Sequence, residues 1–240
     1  MRSVAVAIFC KTPAAGFSKT RLSPPLRPED CSAISACFIR DLASTIHSLG
    51  GDITPYAVYT PVGSEPALRA LLPDSFRLLP QRDGDFGARL SDAATQLLQM
   101  GHRGAILINA DSPTLPASIL QSAVDAFKRD DAVILSPSFD GGYTLIGLSQ
   151  PHPELFADIP WSTAHVHRLT MQRAAEILVP VINVPGWYDV DDAQTLQLLQ
   201  REFAGERLPF AQPGTVGSDA PATRQLIARM HTPEEIERTW

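Results

Sequence analysis

Residues 105–135 read AILINADSPTLPASILQSAVDAFKRDDAVIL, and this stretch decides the fold class. Ala105 to Asn109 is a short apolar run of strand character, and Ala132 to Leu135 is another. Between them a proline-started segment, from about Pro116 to Arg129, carries apolar residues at helical spacing. A strand, a crossover helix and a second strand make a βαβ unit, the building block of a parallel sheet.

The same alternation extends in both directions. Val4 to Phe9 reads as a first strand. After Pro28-Glu29-Asp30, residues Ile34, Phe38, Leu42 and Ile46 recur every four positions, with Cys31 and Leu49 near the same stripe, which predicts a long amphipathic helix. Ile53 to Tyr59 reads as a second strand that Pro55 either weakens or pushes toward a sheet edge. A short helix from Glu65 to Leu72, a brief strand from Phe76 to Leu79, a polar turn and a helix from about Gly87 to Met100 lead to the central unit. Beyond it come strand Thr144 to Leu148 behind a Gly141-Gly142 turn, helix His165 to Leu178, a last long strand Val179 to Val184 and helix Asp192 to Phe203. The expected fold is α/β, a mostly parallel mixed sheet with helices on both faces. Residues 1–204 are expected to form one domain. Glycine and proline thicken after Gly205 while periodicity fades, so 205–240 is expected to be a mobile extension with a helix near Ala222 to Met230.

In an open α/β sheet, ligands bind beyond the carboxyl ends of the strands. The loop leaving the first strand, Phe9 to Leu22, sets Lys11, Lys19 and Arg21 among Pro13 and Gly16. A cationic loop in that place predicts an anionic ligand, most simply a phosphate chain, with a solvated surface loop as the alternative. Asp111, Asp140, Asp189 and Asp191 each follow an apolar run. In parallel strands these carboxylates and the cationic loop converge on one rim. That combination suits a divalent ion, Mg²⁺ or Mn²⁺, shared between one or two carboxylates and the phosphates of a substrate. Two common phosphate motifs fail here. Gly16 is the only glycine of the loop, so there is no G-x-G-x-x-G, and Thr12 and Ser18 stand where a Walker A loop needs glycines.

Composition narrows the partners. A net charge of -6 over 240 residues argues against general attraction to nucleic acid or anionic membrane. No apolar run approaches the ~20 residues of a membrane span, and the N-terminus lacks a secretory pattern. The three cysteines lack zinc spacing, and Cys31 and Cys37 fall in the helical stripe as buried small hydrophobes. A cytoplasmic, reduced setting without structural disulfides is expected. His152, His165 and His167 show no ligand spacing, and no nucleophile-base-acid order suggests a hydrolase triad.

The order Phe9-x-Lys11-x-Pro13-x-x-Gly16-x-x-Lys19-Thr20-Arg21-Leu22, then Gly84-Asp85-Phe86-Gly87-x-Arg89-Leu90, resembles a bacterial transferase family of unknown function, domain 2064, with the Rossmann-like GT-A fold of nucleotide-diphospho-sugar transferases. Asn109-Ala110-Asp111-Ser112-Pro113, Asp140-Gly141-Gly142-Tyr143, Ile159-Pro160-Trp161-Ser162-Thr163 and Asp189-Val190-Asp191 continue the likeness to about Leu199. The first loop is also similar to that of phospholactate guanylyltransferases. The chain departs from the family pattern in two places: Ala88 stands where an acid is common, and Asp192-Ala193-Gln194-Thr195 replaces a Thr-Pro-Glu-Asp run.

The resemblance and the residues together imply a set of roles. Lys19, Arg21 and Asp111 form the expected catalytic set. Nucleotide binding is assigned to Lys11, Pro13, Gly16, Lys19, Arg21, Gln81, Asp85, Arg89 and Asp111. Asp111 and Asp191 are expected metal ligands with Asp189 as their neighbour, although each also suits a turn or a helix cap. Asp140, Gly141, Gly142, Tyr143, Trp161, Ser162 and Thr163 are assigned to the acceptor, with a plain hairpin turn and a helix cap as the alternatives. The partners are a nucleoside triphosphate or nucleotide-sugar and a small-molecule acceptor, without nucleic acid, with a homodimer left open. A triphosphate places more charge on the first loop than a nucleotide-sugar, which favours nucleotidyl transfer. Glycosyl transfer is the rival, and a nucleotide-binding regulatory protein without turnover is the third reading.

Overall fold

A computed structural model describes residues 2–127 and 131–230. Its centre is a seven-stranded sheet built from β1 (Val4–Lys11), β2 (Ile53–Thr60), β3 (Arg77–Pro80), β4 (Gly104–Asn109), β5 (Val133–Pro137), β6 (Tyr143–Leu148) and β7 (Val181–Asn183), in the order β3-β2-β1-β4-β6-β5-β7. Only β6 runs against its neighbours β4 and β5; all other pairings are parallel. The α/β reading from the strand and helix rhythm therefore holds.

Each central strand is covered on both faces, which is why it reads as an unbroken apolar run. Val4, Val6 and Ile8 of β1 face one core with α1 (Pro28–Ser48), α4 (Ala117–Ala126), α6 (Ala193–Phe203) and α7 (Pro221–Met230). Ala5, Ala7 and Phe9 face a second core with α3 (Phe86–Gln99) and α5 (Val166–Glu176), and α2 (Glu65–Arg69) adds Leu68 to the first. The stripe expected on the first long helix is real, since Cys31, Ile34, Phe38, Leu42 and Ile46 are all buried.

Three expectations change in detail. β2 is an interior strand despite Pro55; β3 begins pairing only at Tyr56, so Pro55 costs no ladder bond on that side. The last long strand shrinks to three residues, because Pro180 and Pro185 bracket Val181–Asn183. The segment after Phe203, expected to be a mobile extension, packs on the first core through buried Leu208, Ala220 and Ile227. Its helix α7 has an N-terminus whose open N–H groups are met from α1: buried Asp41 accepts from the backbone N of Ala222 (2.9 Å), from the N of Thr223 (2.8 Å) and from the Thr223 Oγ1 (2.6 Å). The expected end of the α4 helix at Arg129 and the last ten positions of the extension lie outside the described residues. No helix among the described residues is long and apolar enough to cross a membrane.

Candidate active site

β1 and β4 are neighbours, and from them the sheet proceeds outward in opposite directions. The cleft between their carboxyl ends is a topological switch point, where such sheets bind ligands. The loop after β1 ends in a single 3-10 turn, Thr20–Leu22, pinned by buried Leu22. Lys19 precedes that turn with φ 49, a left-handed conformation that costs a side-chain-bearing residue energy. Asp111 lies two residues past β4. Its carbonyl accepts a hydrogen bond of 2.8 Å from the N of Val190, which draws the segment after β7 across the rim and sets Asp191 beside Asp111.

Lys19 joins the three segments. Its Nζ lies 2.7 Å from Asp111 Oδ1 and 2.7 Å from Asp191 Oδ1, and it donates to the Val190 carbonyl at 2.6 Å. The Lys19 side chain is only 7% exposed, whereas Asp111 and Asp191 are 38% and 40% exposed. Burial by itself would lower the Lys19 pKa; the two carboxylates outweigh it and hold the ammonium above the ordinary lysine value. Burial raises Asp111, Asp191 adds to the rise, and Lys19 opposes it. Burial lifts Asp189 to about 6, reinforced by Asp140 and Asp191 and offset by the hydroxyl of Ser138, which donates to Asp189 Oδ1 at 2.7 Å.

Two cavities open on this rim. The first, of about 350 Å³, is bordered by Lys11, Phe17, Lys19, Thr20 and Ser35. The second, of about 330 Å³, is bordered by Asn109, Asp140, Gly142, Tyr143, Trp161 and Asp189. Phe9, Arg21, Ala110, Asp111, Ser162 and Asp191 belong to both, so they form the wall where the cavities meet. An aromatic chain lines the second: Phe9 meets Phe86 edge-on at 5.7 Å, Phe86 meets Trp161 at 5.0 Å, and Trp161 meets Tyr143 at 6.4 Å. Two glycines allow that packing. A Cβ on Gly87 would lie 2.8 Å from Trp161 Nε1, and one on Gly141, at φ 90, would lie 2.3 Å from the Ala164 carbonyl. Ser162 is itself left-handed, at φ 62. Strained backbone thus flanks the site at both Lys19 and Ser162.

The structure brings together Lys11, Lys19, Arg21, Asp111, Asp140, Gly142, Tyr143, Trp161, Ser162, Thr163, Asp189 and Asp191. It does not bring Pro13, Gly16, Gln81, Asp85, Arg89 or Gly141 to either cavity lining. Gln81 is buried and donates its amide to the carbonyls of Cys10 and Val58, both at 3.0 Å, while its Oε1 accepts from Arg89 at 2.8 Å. Asp85 caps α3 by accepting from the N of Ala88. The polar set after β3 therefore ties strands together in this state. Lys19, expected on phosphate, is bonded to protein oxygens instead. Phe9, Phe86 and Asn109 were missed as lining residues, and their signal was adjacency to motif positions at strand ends and at the α3 start. Among the described residues no cluster of three or more His, Cys, Asp or Glu is arranged to hold a metal.

Residues 46–163 match a family model described as an uncharacterized protein conserved in bacteria, DUF2064. The chain is similar to a phosphoenolpyruvate guanylyltransferase of Chloroflexus aggregans, 25% identical over 185 residues that cover 75% of this chain and 90% of the relative. A candidate nucleotide-diphospho-sugar transferase of Desulfovibrio desulfuricans G20 superposes with a TM-score of 0.80 at 24% identity, over 96% of both chains. A CMP:2-keto-3-deoxy-manno-octonic acid synthetase solved with CTP superposes at a TM-score of 0.55 and 11% identity, over 85% of this chain and 100% of that one. The chain thus carries, across residues 46–163, the signature of the uncharacterized bacterial family DUF2064, on an α/β fold of nucleotidyltransferase and GT-A type.

Proposed function

We propose that this protein is a nucleotidyltransferase that moves a nucleoside monophosphate from a nucleoside triphosphate to a phosphorylated small molecule, releasing pyrophosphate. One observation carries the reading: two cavities meet at a wall made of Arg21, Asp111 and Asp191. A donor held on the first loop and an acceptor held by the aromatic chain would place their reacting phosphates at that wall. The similarity to a guanylyltransferase supports the choice of nucleotidyl transfer and makes GTP the first donor to test.

Charge neutralisation is the main requirement of such a transfer. Arg21 supplies a guanidinium fork at the shared wall, suited to two phosphate oxygens at once. Asp111 and Asp191 fit a divalent ion. They lie within twice 2.7 Å of each other through Lys19 and are partly open. Held there, Mg²⁺ or Mn²⁺ would neutralise the triphosphate and the departing pyrophosphate. Tyr143 and Trp161 wall the acceptor side and keep water from the reacting groups.

The test is incubation with Mg²⁺ and each nucleoside triphosphate or nucleotide-sugar against a panel of phosphorylated acceptors, with EDTA controls. Pyrophosphate release dependent on acceptor and metal is the expected result. Release of nucleoside diphosphate from a nucleotide-sugar would replace this reading with glycosyl transfer. Nucleotide binding without turnover would mark a regulatory protein.

A further inference from the structure

The buried ammonium of Lys19 stands between the two carboxylates that are best placed to hold a metal, with oxygens of Asp111, Asp191 and Val190 at 2.7, 2.7 and 2.6 Å. An ammonium has three donors, and here three protein oxygens surround it. Below it the Phe38 ring closes the floor, 5.7 Å from Nζ. The position requires a compact tetrahedral cation, because a planar guanidinium could not reach three oxygens disposed around one point. Composition points the same way. The chain has 20 cationic residues, of which only Lys11, Lys19 and Lys128 are lysines.

We propose that Lys19 is a resident cation that holds Asp111 and Asp191 together until a divalent ion takes its place, and that the released ammonium, still protonated, then turns to the phosphates of the nucleotide. The inference rests on the reading of Asp111 and Asp191 as metal ligands. Without any cation, two neighbouring carboxylates would repel and spread; with Lys19 the rim is assembled before substrate arrives. A divalent ion carries twice the charge and binds oxygen directly, so it competes for the same oxygens. The exchange also reconciles a cationic loop suited to phosphate with a lysine whose donors are engaged by protein.

The experiment uses the unmodified chain. Acetylation of each lysine by an amine-selective reagent is quantified by mass spectrometry in EDTA and in Mn²⁺, with exposed Lys11, at the end of β1, as the reference. Bound Mn²⁺ is measured in parallel by electron paramagnetic resonance for the wild type and for Lys19→Met. Lys19 labelling is expected to rise several-fold relative to Lys11 when Mn²⁺ binds. Lys19→Met is expected to bind Mn²⁺ about tenfold more tightly, since a competing unit charge is gone. Mn²⁺ binding with unchanged Lys19 labelling would overturn the exchange and leave the metal reading standing. Absence of Mn²⁺ binding to both proteins would overturn the metal reading, and the exchange with it.

Discussion

Replacing Asp191 by Asn should destabilise the wild-type protein but stabilise a protein that already carries Lys19→Met. Lys19 Nζ and Asp191 Oδ1 are 2.7 Å apart. At an effective dielectric constant of about 20, unit charges at that distance attract by about 6 kcal/mol. Asp111 and Asp191 are at most twice as far apart through the shared ammonium, and their repulsion is therefore at least about 3 kcal/mol on the same scale. Removing the Asp191 charge forfeits the attraction and relieves the repulsion, for a net loss of about 3 kcal/mol, which solvent at the partly open carboxylates reduces to about 1 to 2 kcal/mol. In the Lys19→Met background only the repulsion is present, and the same substitution should gain about 1 to 2 kcal/mol. Urea unfolding of the four proteins at about pH 8, well above the ordinary carboxylate range, completes the cycle. The coupling should be about 3 kcal/mol and should weaken with added salt. An effect of the same sign in both backgrounds would refute the idea that the ammonium holds this pair of carboxylates.

Three other outcomes are expected. Arg21→Ala should weaken triphosphate and monophosphate binding alike by about 1.5 to 3 kcal/mol, as read by calorimetric titration, because its place at the shared wall suits the reacting phosphate that both nucleotides carry. Trp161→Ala should raise the acceptor KM and lower turnover while nucleotide affinity stays close to wild type; separate fits of the two substrate dependences check this, and a selective loss of nucleotide affinity would mean the two cavities have been assigned in reverse. His102 joins Ser3 through Nδ1 at 2.8 Å and Tyr56 through Nε2 at 2.9 Å, and burial, with Arg77, lowers its pKa. Below the ordinary imidazole value the unfolded chain binds the extra proton first, so stability should fall as pH drops through that range, and denaturant midpoints of His102→Gln should lose that part of the slope.

The sheet was legible where burial on both faces forces apolar runs, as in Val4 to Phe9 and Ala105 to Asn109. The direction of β6 was legible only in the hairpin alternative for Asp140 to Tyr143, since the five residues between Pro137 and Tyr143 are too few for a parallel crossover. Asp41 looked like any acid on a helix, because its bonds reach 181 and 182 positions along the chain to Ala222 and Thr223. In the site, the rim carboxylates and cations were found by their place after strands. What spacing could not show was that Lys19 bonds to residues 171 and 172 positions away, so that a lysine expected on phosphate and two aspartates expected on a metal satisfy one another. Gln81 shows what spacing alone leaves out: a polar residue after a strand can be buried when two strand carbonyls and an arginine satisfy its amide.

Two cavities that share a wall bring their occupants together end to end. In the proposed transfer, an acceptor oxygen approaching from the aromatic side would meet the α-phosphorus with the pyrophosphate pointing away along the first loop, which is the line of a single displacement. Such a displacement turns phosphorus inside out. A donor made chiral at that phosphorus by sulfur should yield product of inverted configuration, and retention would require a protein-bound nucleotide between two successive displacements.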